Sequence, residues 1–96
     1  MTWVVTFSKR AQKQQLGLTP KARQLLVALV IELEKLGPVR GDWPNYSRLG
    51  GSKDRKHHCH LNKKGRPTYV AVWQETEQGL KVVEIIYVGT RENAPY

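Results

Sequence analysis

The chain has 96 residues, enough for one domain with a modest hydrophobic core. Sixteen Lys and Arg residues against eight Asp and Glu give a formal charge of +8, and the single cysteine excludes an internal disulfide. Its longest apolar run, residues 25–31, is far shorter than the roughly 20 residues of a membrane-spanning helix. The composition predicts one soluble domain, residues 1–96, in a reducing cytoplasm, with a polyanion such as nucleic acid as partner.

The N-terminal part of the chain is predicted to form a strand and two helices. Residues 2–8 are rich in β-branched and aromatic side chains, as strands are, and residues 9–15 contain good helix formers with few apolar side chains. A longer helix is predicted over residues 20–36, because Thr19 can cap it and Leu and Ala recur at spacings of three and four. Gly37 and Pro38 are expected to end it.

The second half of the chain is predicted to form strands, separated by turns that contain Gly, Lys and Asp. The segments are residues 46–50, 56–62, 68–75 and 81–89, and the tail is too short for a further element. This order predicts an α+β fold with an N-terminal strand, a helical hairpin and then a three- to four-stranded antiparallel sheet. The helices are expected on one face of the sheet, which leaves the other face open.

Three histidines and the cysteine follow one another in the second of these segments. Because successive side chains of a strand point to opposite faces, we expect His57 and Cys59 beneath the helices and His58 and His60 on the open face. A zinc site is disfavoured, since each face offers at most two ligands and the chain has no second cysteine. We therefore predict no metal site, and a buried, unreactive Cys59.

His58 and His60 suit acid–base chemistry, because imidazole titrates near neutral pH. Cleavage of RNA by its own 2′-hydroxyl needs a base for that hydroxyl, an acid for the departing 5′-oxygen and cations beside the phosphate. The two histidines, with Arg66 and Arg91, can supply these groups. The alternative is that the histidines merely lie on an exposed strand whose cations oppose aggregation.

Three segments resemble the RelE/ParE superfamily, the toxins of bacterial type II toxin–antitoxin systems. They are NYSRLGG (45–51), HHCHLNKKGRPTYVAVW (57–73) and YVGTRENAPY (87–96), and the resemblance extends over residues 3–96. They resemble in particular the small RelE-like branch of mRNA interferases. The resemblance implies an endoribonuclease that cuts mRNA in the ribosomal A site without a metal or other cofactor, and a cognate antitoxin protein that neutralises it.

The same resemblance implies roles for individual residues. His58 and His60 occupy the alternate strand positions that hold two lysines in RelE, Arg66 is the candidate for the arginine of the next strand, and Arg91 matches the C-terminal arginine. Tyr96 is the candidate for a tyrosine that stacks on or orients a base. The other cations of this region are expected to bind the RNA backbone: Arg48, Lys53, Arg55, Lys56, Lys63 and Lys64.

Two other functions stay open at this point. One is a ParE-like inhibitor of DNA gyrase, which binds a protein and cleaves nothing; the histidines and arginines expected on the open face argue against it. The other is a nucleic-acid-binding module without catalysis, including a degenerate toxin kept for autoregulation. Loss of toxicity with ribosome binding retained, in variants of His58, His60 and Arg91, would favour the enzyme.

Overall fold

The computed structural model describes residues 2–49, 55–76 and 81–95. Its helices and strands follow the predicted order: β1 (Val4–Phe7), α1 (Lys9–Gln14), α2 (Pro20–Leu36), β2 (Ser47–Leu49), β3 (Lys56–His60), β4 (Tyr69–Glu75) and β5 (Val82–Thr90). Short 3-10 turns follow α1 at Gln15–Gly17 and β5 at Arg91–Asn93. Among the described residues, no helix is both long and apolar enough to cross a membrane.

The strands form one mixed sheet in the order β1-β5-β4-β3-β2. Three pairs are antiparallel, as predicted: β2 with β3, β3 with β4, and β4 with β5. β1 pairs parallel with β5. The parallel pair requires a long crossover between its strands, and the chain from α1 to β4 supplies it. The α+β prediction is confirmed, and the parallel position of β1 is a feature that the sequence pattern did not reveal.

α2 has the predicted bounds because its two ends carry specific signals. The Ala22 amide donates to Thr19 Oγ1 at 3.2 Å, and Pro20 is the first helical residue. At the other end Gly37 has φ +91°, a conformation that L side chains rarely adopt. A Cβ at Gly37 would lie 2.8 Å from Trp3 Nε1, so this glycine both ends the helix and admits the Trp3 ring.

Both helices pack on one face of the sheet and bury the main core there. Its fully or nearly fully buried residues are Ala11, Leu18, Ala22, Leu26, Leu29, Leu33, Cys59, Leu61, Ala71, Trp73, Val83, Ile85 and Val88. On the opposite face, Val70, Val72 and Tyr87 form a smaller apolar cluster, against which Leu49, Ile86 and Ala94 pack. The face predicted to be open is therefore apolar at its centre.

The C-terminal segment differs from the prediction. The tail was predicted to contain no further element, but the Ala94 amide donates to the Arg91 carbonyl at 3.2 Å and closes a 3-10 turn. The prediction was wrong here because such a turn needs only three residues.

Candidate functional site

β3 places its histidines on both faces of the sheet, as the alternation predicts. His57 and Cys59 are fully buried on the helix face, where the His57 ring stacks on Trp73 with ring centroids 5.8 Å apart. His58 and His60 lie on the opposite face. They differ in exposure, however, because His58 is only 9% exposed whereas His60 is partly exposed. Both histidines lie on the predicted face, but His58 is nearly buried there.

His58 contacts Ser47 of the neighbouring edge strand. The two residues are partners in the β2–β3 register, and Ser47 Oγ lies 2.7 Å from His58 Nε2. Burial lowers the pKa of His58 below its ordinary value of 6.5, and the neighbouring His60 lowers it further. His58 is therefore a neutral imidazole at pH 7. Ser47 could not be predicted from the sequence, because periodicity within a strand does not reveal which residue of another strand lies opposite.

His60 lies close to Arg91, which follows β5. Partial burial lowers the pKa of His60, and the positive charge of Arg91 lowers it further. A neutral imidazole can accept a proton, and a guanidinium beside it can hold a phosphate oxygen through charge-assisted hydrogen bonds. The structure thus brings together three of the predicted site residues, His58, His60 and Arg91.

Tyr87 and Gly89 explain how Arg91 is positioned. The Tyr87 hydroxyl donates to the Thr90 carbonyl at 2.7 Å, and the Arg91 amide donates to the Thr68 carbonyl at 2.9 Å. The Tyr87 side chain reaches Thr90 by passing over Gly89, where a Cβ would lie 2.7 Å from the hydroxyl. These contacts explain why the motif YVGT has a glycine at Gly89. The sequence feature that could have predicted them is a glycine two residues after a strand tyrosine, on the same face of the strand.

Arg66 lies elsewhere. It belongs to the turn between β3 and β4 and lines a hollow of about 170 Å³ together with Lys21, Leu25, Lys64 and Tyr69. Lys21 and Leu25 belong to α2, so this hollow is on the helix side, whereas His58 and His60 lie on the other face of the sheet. The structure does not bring Arg66 together with the two histidines.

The cations predicted to bind RNA are spread over both faces. Arg48 is aligned with His57, so it lies on the helix face, whereas Lys56 is aligned with Gln74, on the face of His58. Arg48, Arg55, Lys63 and Lys64 are exposed and Lys56 is partly exposed. Two predicted residues, Lys53 and Tyr96, lie outside the described residues.

His57 is held by polar partners inside the core. Its Nε2 lies 3.0 Å from Glu75 Oε2 and its Nδ1 2.7 Å from the Tyr46 hydroxyl. Since a carboxylate only accepts, Nε2 donates to Glu75 and Tyr46 donates to Nδ1. Burial lowers the pKa of His57 although Glu75 acts in the opposite direction. Arg48 Nη2 extends this network to solvent, 4.0 Å from Glu75 Oε2.

Metal and thiol chemistry find no support in the described ranges. Within residues 2–49, 55–76 and 81–95, no three His, Cys, Asp or Glu side chains are arranged to hold a metal ion. Cys59 is fully buried, as predicted, and burial raises the pKa of its thiol far above the ordinary value.

The chain has the fold of the toxins of the RelE/ParE superfamily. A mutant of the E. coli toxin RelE in the free state matches with a TM-score of 0.71 and 24% identity, over 96% of this chain and 86% of that one. The archaeal RelE–RelB complex from Pyrococcus horikoshii OT3 matches with a TM-score of 0.70 and 20% identity, over 98% and 100% of the two chains. The E. coli DinJ–YafQ toxin–antitoxin complex matches with a TM-score of 0.68 and 16% identity, over 96% of each chain. No family model matches the sequence, and neither does any curated protein.

Proposed function

We propose that this chain is a ribosome-dependent endoribonuclease toxin that cleaves mRNA in the A site and is neutralised by a cognate antitoxin. The observation that carries the proposal is the grouping of His58, His60 and Arg91 on the sheet face away from the helices, in a fold shared with RelE and with the DinJ–YafQ toxin–antitoxin complex. Imidazoles with lowered pKa values and a cation whose charge acts on them are groups that phosphodiester cleavage can use.

In this reaction the 2′-oxygen of the RNA attacks the adjacent phosphorus and the bond from phosphorus to the 5′-oxygen breaks. The products are a cyclic 2′,3′-phosphate and a free 5′-hydroxyl. One histidine takes the 2′-proton and, once protonated, gives a proton to the leaving 5′-oxygen, each transfer contributing about 10² to 10⁴ in rate. Arg91 neutralises the charge that grows on the phosphate. The chain's own side chains supply every group, so we propose that no metal or other cofactor takes part.

Affinity for the ribosome comes, in this proposal, from the exposed cations. Arg55, Lys56, Lys63 and Lys64 surround the β3–β4 region, and contacts of this kind to the RNA backbone give salt-dependent binding. We extend this role to Arg48 and Lys53, and propose a base-orienting role for Tyr96. The formal charge of +8 also favours an antitoxin with an acidic segment, since opposite charges speed association and suppress wrong partners.

The test is primer extension on a defined messenger, with programmed ribosomes and with naked RNA. We compare the wild type with the His58→Ala/His60→Ala double variant, and use Lys35→Ala as a control that removes an exposed cation of α2. The expected result is cleavage in the A-site codon only when ribosomes are present, lost in the double variant and kept in the control. If folded wild type cuts neither template, gyrase inhibition or binding without catalysis becomes the better explanation.

A further inference from the structure

The two histidines of the site have different access to a ligand. His58 is 9% exposed, and Ser47 Oγ lies 2.7 Å from its Nε2. Ser47 itself is exposed, and its hydroxyl is the hydrogen-bond partner of His58 Nε2. His60 is partly exposed on the same face. His60 is therefore the more accessible histidine for a ribose hydroxyl that approaches this face, and Nε2 of His58 already has Ser47 as a partner.

We propose that Ser47 is a positioning residue that holds the buried His58 imidazole through Nε2, and that His60 is the histidine that exchanges a proton with RNA. The inference rests on the proposed function and assigns different roles to His58 and His60, which the sequence pattern does not distinguish. Its basis is the β2–β3 register, in which Ser47 is the direct partner of His58.

Electrostatics supports the same division. His58 and His60 are two residues apart on one face of β3, so two positive imidazoles there would repel each other. Burial lowers the pKa of His58 and so favours its neutral form, which lessens that repulsion when His60 takes up a proton. Lys56 lies on the same face of β3, and the charge of Arg91 lowers the pKa of His60, which opposes protonation and favours rapid return of the proton. His58 thus acts through His60.

The kinetic test uses His58→Gln and His60→Gln as a matched pair. Glutamine places an amide near the position of Nε2 but cannot exchange a proton at neutral pH, so it keeps a hydrogen bond and removes acid–base function. With ribosomes present, His60→Gln should lower kcat about 100-fold or more and abolish the acid limb of the pH profile. His58→Gln should lower kcat less than about tenfold, with KM unchanged and the acid limb preserved. Equal loss in the two variants would overturn the division of roles.

Ser47 is tested with a removal and a conservative replacement. Ser47→Ala should lower kcat about three- to tenfold, consistent with one lost hydrogen bond of about 1 kcal/mol, and leave KM unchanged. Ser47→Thr keeps the hydroxyl and suits a strand, so it should restore kcat to within about twofold of the wild type. Thermal unfolding of both variants checks that β2 is still paired. A Thr variant as impaired as the Ala variant would contradict the positioning role.

A readout without RNA separates this inference from the proposed function. In ¹⁵N spectra of the histidine side chains, Ser47→Ala should shift the Nε2 signal of His58, leave the signals of His60 in place, and be reversed by Ser47→Thr. Unchanged His58 signals in Ser47→Ala would overturn the inference even if the protein cleaves mRNA. Absence of cleavage by the wild type, together with the expected shifts, would instead overturn the proposed function and keep the contact between Ser47 and His58.

Discussion

His57 and His60 lie three residues apart on β3 and have opposite surroundings. His57 is fully buried, stacks on Trp73 and is hydrogen-bonded at both ring nitrogens. His60 is partly exposed, with Arg91 nearby. The same type of side chain lies in the core in one place and at the surface in the other. The comparison shows that imidazole-rich sequence alone does not indicate chemistry, since the face of the strand decides what each ring can do.

The largest expected difference between these two histidines is in stability. His57→Ala removes the stack on Trp73 and leaves the Tyr46 hydroxyl and the Glu75 carboxylate without the ring between them. We expect a loss of about 3 kcal/mol in the free energy of unfolding, because a buried network loses its central member. His60→Ala should cost less than about 1 kcal/mol, since surface substitutions have small effects. Urea unfolding at pH 7.5 measures both, and similar losses in the two variants would contradict the comparison.

The face of each histidine could be predicted because apolar residues in and next to β3 show which side of the strand is buried. Leu61 and Cys59 are apolar, and burying them fixes which side of the strand the helices cover. The bounds of α2 could be predicted for a similar reason, since Thr19, Pro20 and Gly37 are local signals at its two ends. Signals of this kind lie within or next to one helix or strand, so they can be recognised in the sequence alone.

What the sequence could not predict depends on contacts between distant parts of the chain. To predict that Ser47 lies opposite His58, one must know the register of two strands. To predict the near-complete burial of His58, one must know its neighbours on that face. The expectation for Arg66 came from resemblance, while its actual position is set by a turn that folds toward α2. The role of Gly89 also needed the path of the Tyr87 side chain, which no periodicity describes.

A second prediction concerns Gly89, where the Tyr87 side chain leaves no space for a Cβ. In Gly89→Ala the new Cβ would lie 2.7 Å from the Tyr87 hydroxyl, so that side chain must move and its bond to Thr90 is lost. We expect a loss of about 1–3 kcal/mol in stability, as for overpacked sites, and lower cleavage activity because Arg91 follows Thr90 directly.

Gly17→Ala is the matched control for that prediction, because a Cβ at Gly17 meets nothing within 4 Å. It should change neither stability nor cleavage beyond experimental error. Thermal unfolding and primer extension of the two variants give the comparison. If Gly89→Ala behaves like Gly17→Ala, the path of Tyr87 over Gly89 does not position Arg91.

The smallest expected effect is on the pH dependence of stability. Burial lowers the pKa of His57 in the folded state below 6.5, so between these two values the unfolded chain binds a proton that the folded chain does not. Stability is therefore full above pH 6.5 and falls as the pH drops toward the folded pKa, below which the loss is complete. The slope for one histidine is at most about 1.4 kcal/mol per pH unit. In urea unfolding between pH 7.5 and 5, His57→Gln should flatten this slope more than His60→Gln, because the ring of His60 is only partly buried. An equal slope in wild type and His57→Gln would mean that Glu75 offsets the cost of burial, and the contrast between the two faces would then be one of packing alone.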